Sequence, residues 1–268
     1  MSGLAGLKRV PHKGTLFALW VVLFFSGAWS PRAGAQLCLS FQADEWVKVS
    51  YVYDGDTVRL SDGRKVRLIG INTPETGHDG HVSEPLGEAA RQALQGLLAG
   101  QSQVALRYEE DRHDQYGRLL AHLYLADQRN VQVLLLEQGL AAAVAVAPNF
   151  ANLECYFAAE ARANGAGIWQ QRRFSAYESG HLPREARGFY IVQGVVERIG
   201  ESRQALWLNL PNSVAVRIDN RALPRFTPVF DPNQLQGKKI RVRGWLSEWR
   251  GGLQMRVDHL AALQRLDE

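Results

Sequence analysis

Residues 53–75, Y-D-G-D-T-V-R-L-S-D-G-R-K-V-R-L-I-G-I-N-T-P-E, constrain the fold more than any other stretch of this 268-residue chain. Two alternating apolar runs, 57–60 and 64–71, flank the turn Ser61-Asp62-Gly63. That is the pattern of a β-hairpin with one face on a core. Ahead of the hairpin, Asp54 and Asp56 crowd two carboxylates into a glycine turn, and behind it the second strand ends in Asn72-Thr73-Pro74-Glu75. A structural reading is open, because D-G is a common hairpin turn and T-P-E can start a helix. A chemical reading is open too. Carboxylates beside amide and backbone oxygens suit a hard cation such as Ca²⁺. An arginine aimed at the same place suits a phosphate through its planar fork of donors. A spare glutamate can activate or orient water. Cation, phosphate clamp and base together point to hydrolysis of a phosphodiester.

A third element favours the chemistry. The run H-D-Q-Y-G-R-L-L-A at 113–121 sets Arg118 just after a Tyr116-Gly117 turn and at the start of an apolar strand. D-G-D-T at 54–57, V-R-L-I-G-I at 66–71, T-P-E at 73–75 and D-Q-Y-G-R at 114–118 resemble, in that order and spacing, the staphylococcal nuclease (thermonuclease) family. The likeness covers about residues 46–170. It implies Ca²⁺ held by Asp56, Asn72 and the Thr73 carbonyl. It implies Arg67 and Arg118 on the scissile phosphate, Glu75 as the base that takes the proton of water, and Tyr116 near the nucleotide phosphate. It also implies in-line attack on DNA or RNA that leaves 3′-phosphate ends. Asp54 is read as a turn residue rather than a ligand. Two departures stand out. Asn72 replaces the family's aspartate, which keeps an oxygen ligand but removes a negative charge and leaves another divalent metal open. The family's tyrosine pair after Q-G-L-A is absent, since Gln138-Gly139-Leu140-Ala141 runs into A-A-V-A-V-A, so base stacking is expected to be weaker.

The first 35 residues read as a secretory signal: Lys8, Arg9 and Lys13, then the apolar run 16–25, then Ala33-Gly34-Ala35, with cleavage before Gln36. An uncleaved N-terminal anchor is the alternative. The expected destination is therefore secreted or periplasmic, with no stable membrane anchorage after cleavage. Residues 1–35 hold four of the 31 basic residues and none of the 27 acidic ones, so the remainder is neutral overall. Residues 36–172 carry a net charge of −5 and residues 173–268 a net charge of +5. An acidic half can host a cation, and a basic half can attract a polyanion. Cys38 and Cys155 both lie beyond the leader, and in an oxidising compartment such a pair is expected to be bridged. Two isolated cysteines so far apart are no zinc signature.

The expected fold is mainly β with α. A five-stranded OB-type barrel with packed helices spans 36–172, a linker 173–187, and a second, smaller OB-like barrel 188–268. Helices are expected from Ser83 or Pro85 to about Leu98, over 130–140, and over 150–164. In the second half, strands are expected at 189–197, 205–210, 214–218, 240–246 and 253–257, with an irregular proline-containing connection over 220–236. There Lys238, Lys239, Arg241, Arg243, Arg250 and Arg256 interleave with Trp245 and Trp249. Basic residues among aromatics suit single-strand binding. Ordinary alternation, with rings packed and cations solvated, is the competing reading. His78 and His81 lack further ligands at zinc spacing and read as a solvated loop pair. The rival to an enzyme is a catalytically weak or inactive nucleic-acid-binding protein of the same fold.

Overall fold

The computed structural model describes residue 38, residues 41–77 and residues 82–266. The expected leader and the His78/His81 pair lie outside the described residues. Strands β1 (Glu45–Val47) and β2 (Val49–Val52) are two parts of one strand interrupted at Lys48. The first part pairs antiparallel with β6 (Val104–Arg107) and the second with β3 (Thr57–Leu60). β3 pairs antiparallel with β4 (Lys65–Leu68), and β4 pairs parallel with β7 (Leu119–Tyr124). β7 returns antiparallel to β6, which closes a five-stranded barrel. Alternation sets its two faces. Val58, Leu60, Val66 and Leu68 are buried inside, while Arg59 and Arg67 project outward.

Three helices close this barrel: α1 (Gly87–Leu98), α2 (Val131–Glu137) and α3 (Leu153–Arg162). Leu94, Leu135, Leu136 and Tyr156 are their fully buried contributions to its core. α1 begins later than the sequence pattern implied, because Leu86 at its N-cap takes a positive φ of 69°. α2 is capped by Asn130, whose side chain accepts from the Val133 N–H. A short ribbon, β5 (Ile71–Asn72) with β8 (Ala142–Ala143), lies beside the barrel. Cys38 is disulfide-bonded to Cys155 of α3 across a sequence separation of 117 residues. On a chain-entropy view, closing so long a loop stabilises the fold by about 4–5 kcal/mol.

The second half repeats the circuit. β10 (Gly188–Val195) and β11 (Arg198–Glu201) are again two parts of one strand. β11 pairs with β12 (Ala205–Leu210), and β12 with β13 (Val214–Asp219). β13 pairs parallel with β15 (Gly252–Arg256), which pairs antiparallel with β14 (Lys239–Trp249), and β14 returns to β10. The second barrel thus has the same strand connectivity as the first, around Val192, Leu208, Val216, Phe226, Val242 and Met255. The stretch 173–187 is structured where the sequence read as a link. Its Ala176–Glu178, β9, pairs parallel with β10, and β16 (Leu263–Arg265) pairs with the start of β14. The edge strand β11 lacks an apolar alternation and forms because β12 offers it a partner.

Of the two readings of the basic residues on β14, the pairing favours ordinary alternation for most of them. Arg243 is not free for a polyanion: its Nη1 donates to both Glu160 carboxylate oxygens of α3, at 2.8 and 2.9 Å. Its guanidinium also lies over the Phe157 and Trp169 rings. Glu160 in turn accepts from the Ala143 N–H at 2.7 Å. Lys239 pairs with Glu178, and Arg241 donates to the Gln193 side chain. Trp245 packs edge-on against Phe189 and, like Trp249, stays partly open to solvent, while Lys238 is exposed. The outward side chains of β14 meet β9 and β10 within the second half, and Arg243 alone of these cations reaches across to α3 of the first.

Candidate active site

Asp54 to Asp56 form a tight turn ahead of β3, in which the Asp56 N–H donates to Asp54 Oδ1 at 2.8 Å. Gly55 is required there: a Cβ would come within 2.7 Å of the Ala90 Cβ and 2.8 Å of Thr73 Cγ2. The turn is therefore pressed against α1 and against the strand end that carries Thr73. Asp56 is buried at 3% exposure and fully engaged. Its Oδ2 accepts from the Thr73 N–H at 2.9 Å and pairs with Arg67 Nη2 at 3.0 Å, and its Oδ1 accepts from the Thr57 hydroxyl. Asp56, Arg67 and Thr73 thus form one connected unit.

The corner after β4 aims Arg67. Its Nη1 donates to the Leu68 and Ile71 carbonyls at 2.7 and 3.0 Å. Both carbonyls flank Gly70, which has φ +79° and sits so close to the Tyr156 ring that a Cβ would lie 2.5 Å from it. Tyr156 is held by a buried chain: its hydroxyl lies 2.6 Å from His122 Nδ1, and His122 Nε2 lies 2.7 Å from Glu109 Oε1. Burial raises the Tyr156 pKa well above its ordinary value, so the phenol keeps its proton and donates to Nδ1. A packed ring in the core therefore fixes the carbonyls that orient a surface guanidinium.

Arg118 arrives from β7. The parallel register places Arg67 opposite Leu120, and Arg118 is two residues before Leu120, so both arginines project from one face. Asp114 anchors Arg118, accepting from its Nε at 2.7 Å and from its backbone N–H at 2.9 Å. Burial pushes the Asp114 pKa up, but the bonds from Arg118 and the backbone outweigh it and hold the carboxyl below its usual range. Tyr116, 75% exposed, lies with its ring 5.6 Å from the Arg118 guanidinium. Asp114 was quoted in the motif but given no role. An aspartate four residues before a turn-borne arginine was the signal available.

Glu75 lies just past β5, two residues after Thr73, and with Arg67 and Arg118 it outlines the candidate cleft. Its backbone N–H donates to Glu84, and the Glu84 N–H donates back to the Glu75 carbonyl. Burial and the neighbouring Asp56 charge raise its pKa, while Arg67 and Arg118 pull it down. Both arginines therefore lie within electrostatic reach of this carboxylate. Burial, then the Asp56 charge, pushes Asp54 up to about 7.

This crowding bears on a cation. The Asp56 charge raises the cost of ionising Asp54 and Glu75, and a hard divalent ion beside them would offset that repulsion. The Thr73 N–H meets the Asp56 carboxylate, Asn72 precedes it at the end of β5, and oxygens of the Asp, Asn and backbone-carbonyl kind suit Ca²⁺. Among the described residues no cluster of three or more His, Cys, Asp or Glu forms a ligand cage. The segment that lacks the family's tyrosines is used for packing instead: Ala142, Ala143 and Val144 are all buried.

Comparison with known proteins agrees with this arrangement. The family model described as "Staphylococcal nuclease homologue" matches residues 65–171. The chain is 40% identical over 104 residues to the thermonuclease of Staphylococcus intermedius, covering 38% of this chain and 61% of that protein. It is 35% identical over 115 residues to the thermonuclease of Staphylococcus hyicus, covering 42% and 67%. It is 33% identical over 132 residues to endonuclease YncB of Bacillus subtilis (strain 168), covering 47% and 62%. The chain thus spans about three fifths of the length of the S. intermedius thermonuclease and of YncB. The stretch matched by the family model carries Arg67, Glu75 and Arg118, and the chain belongs to the staphylococcal nuclease family.

Proposed function

We propose that this chain is an exported, metal-dependent nuclease that hydrolyses phosphodiester bonds of DNA or RNA. The convergence of Arg67, Arg118 and the Glu75 carboxylate on one cleft carries the reading. Arg67 and Arg118 grip the phosphoryl oxygens and stabilise the charge that grows on them as water attacks. Both arrive held in place, Arg67 by two carbonyls and Asp56, Arg118 by Asp114. Glu75 takes the proton of the attacking water. Its raised pKa makes it a stronger base than an exposed glutamate. Asp56, Asn72 and the Thr73 carbonyl would hold Ca²⁺, which supplies charge neutralisation at the phosphate. Base identity goes largely unread, since phosphate contacts carry no sequence information. Export rests on residues 1–35 and on the Cys38–Cys155 disulfide. Among the described residues no helix is long and apolar enough to cross a membrane.

The test is cleavage of single- and double-stranded DNA by the purified chain with Ca²⁺, with a chelator, and in the Glu75→Gln and Arg67→Ala variants. Cleavage should require metal and fall by about 10²- to 10⁴-fold in Glu75→Gln. Unchanged cleavage in both variants would place the chemistry elsewhere. Two observations favour the rival, a weak or inactive binder: Asn72 removes a ligand charge, and the buried Ala142–Val144 segment offers no stacking ring. No cleavage with any divalent metal, with DNA binding retained, would select it.

A further inference from the structure

The second barrel carries a concave surface that the cleft does not use. A groove of about 810 Å³ opens on β11, β12, β13 and the β14–β15 hairpin. Trp207 of β12 and Trp249 at the end of β14 line it, their rings nearly parallel at 18° with centroids 6.3 Å apart. The Arg217 guanidinium lies 5.6 Å from the Trp207 ring centre, and that of Arg250 lies 5.4 Å from Trp249. Arg198 on β11 is exposed at the same groove. Among its described lining residues, Arg198, Arg217 and Arg250 face one acid, Glu201. Gly200 and Ala215 stand beside Trp207 and keep the floor low around the ring.

The placement parallels the first barrel. Arg217 faces Trp207 across β12–β13, as Arg67 faces Thr57 across β3–β4. Each arginine then continues into the parallel pairing, Arg217 opposite Arg256 and Arg67 opposite Leu120. The same outward face of the same strand circuit thus carries carboxylates and arginines in one barrel, and tryptophans and arginines in the other. Parallel rings, Trp249 exposed and Trp207 half-buried, flanked by guanidinium groups match a ligand with flat faces and repeated negative charge. Arg217 is also held by Asp219, its Nε donating to Oδ1 at 2.8 Å, and a neutral polymer would satisfy the rings while leaving Arg198 and Arg250 idle.

We propose that this groove binds single-stranded nucleic acid, with bases stacked on Trp207 and Trp249 and phosphates met by Arg198, Arg217 and Arg250. It deepens the nuclease reading and rests on it for the identity of the polymer, giving the chain a hold on its substrate away from the cleft. The site relocates nucleic-acid contacts from the β14 cations to the open side of the sheet, and of the residues first considered for them it keeps Trp249 and Arg250.

Fluorescence anisotropy with labelled 15-mers of thymidylate and of uridylate, read with chelator present over a range of salt, tests this. The protein is the full chain carrying Arg67→Ala, which weakens the cleft. Trp207→Ala and Trp249→Ala should each reduce affinity roughly ten- to hundredfold. Arg198→Glu and Arg250→Glu, exposed substitutions that leave the core intact, should weaken binding and flatten its salt dependence. Binding unchanged in all four folded variants would overturn the proposal. Salt-independent capture of a neutral oligosaccharide such as chitohexaose, lost in Trp207→Ala, with no oligonucleotide binding, would overturn it in favour of a glycan. The cleavage assay stands apart: a chain that does not cut but binds through the groove sinks the nuclease reading alone, and a chain that cuts without groove binding sinks this one alone.

Discussion

Asp114 shows how a single residue can govern a cleft it does not enter. Its carboxylate takes the Arg118 Nε and the backbone N–H groups of Tyr116 and Arg118, fixing both the turn and the guanidinium. Asp114→Ala should lower the cleavage rate by about tenfold or more while shifting the urea midpoint little, because this turn lies at the surface. Equal losses in rate and stability would contradict a positioning role. Gly70 makes a different claim. With a positive φ and the Tyr156 ring in contact, Gly70→Ala is expected to destabilise by at least 1–3 kcal/mol, read as a lower denaturation midpoint. The motif residues were legible in the sequence because their chemistry is carried by type and spacing. Tyr156 was not, because packing its ring on Gly70 leaves no type-specific mark until the partners are seen together, whereas Asp114 stood in the motif with its spacing to Arg118 as the signal.

At the scale of elements, hairpins and helices followed from alternation and glycine punctuation, since each buries one face of a locally complete pattern. β5, β8, β9 and β11 were not foreseen. They are two to four residues long and exist by pairing, β5 with the sequence-distant β8, and β9 and β11 as edges on the next strands β10 and β12. The charged alternation of β14 was legible, but its use was not, because Glu160 and Glu178 come from other elements. The turn of 3₁₀ helix at Leu260–Ala262 carries a pH prediction. His259 Nδ1 accepts from the Ala261 N–H, and burial, then the Arg225 charge, lowers the His259 pKa. A histidine held neutral in the fold contributes stability above its unfolded value, near 6.5, that is lost as pH falls toward its depressed folded value. The urea midpoint of the wild type should therefore drop between about pH 7.5 and 5.5, and that drop should shrink in His259→Asn. An identical pH dependence in both would remove His259 as the cause.

For the whole molecule, the junction of the two halves is the decisive feature. Arg243 and Glu160 are largely buried, at 18% and 12% side-chain exposure, and an apolar cluster with Ile168, Phe174 and Phe189 surrounds the joint. Arg243→Ala strands the Glu160 carboxylate and should cost about 3–5 kcal/mol. Calorimetry should then show two separate transitions in place of one. A single unshifted transition would mean that the apolar cluster alone couples the barrels. The disulfide acts on a still larger part of the chain. Residues 38 and 155 bracket nearly the whole first barrel, and Val82, 93% exposed, lies inside that bracket. A protease that cuts beside Val82 severs the backbone but releases nothing. The nicked chain should migrate as one band without reductant and as two with it, so a molecule clipped once still keeps Asp56 and Arg118, which come from opposite sides of the cut, joined in one covalent body.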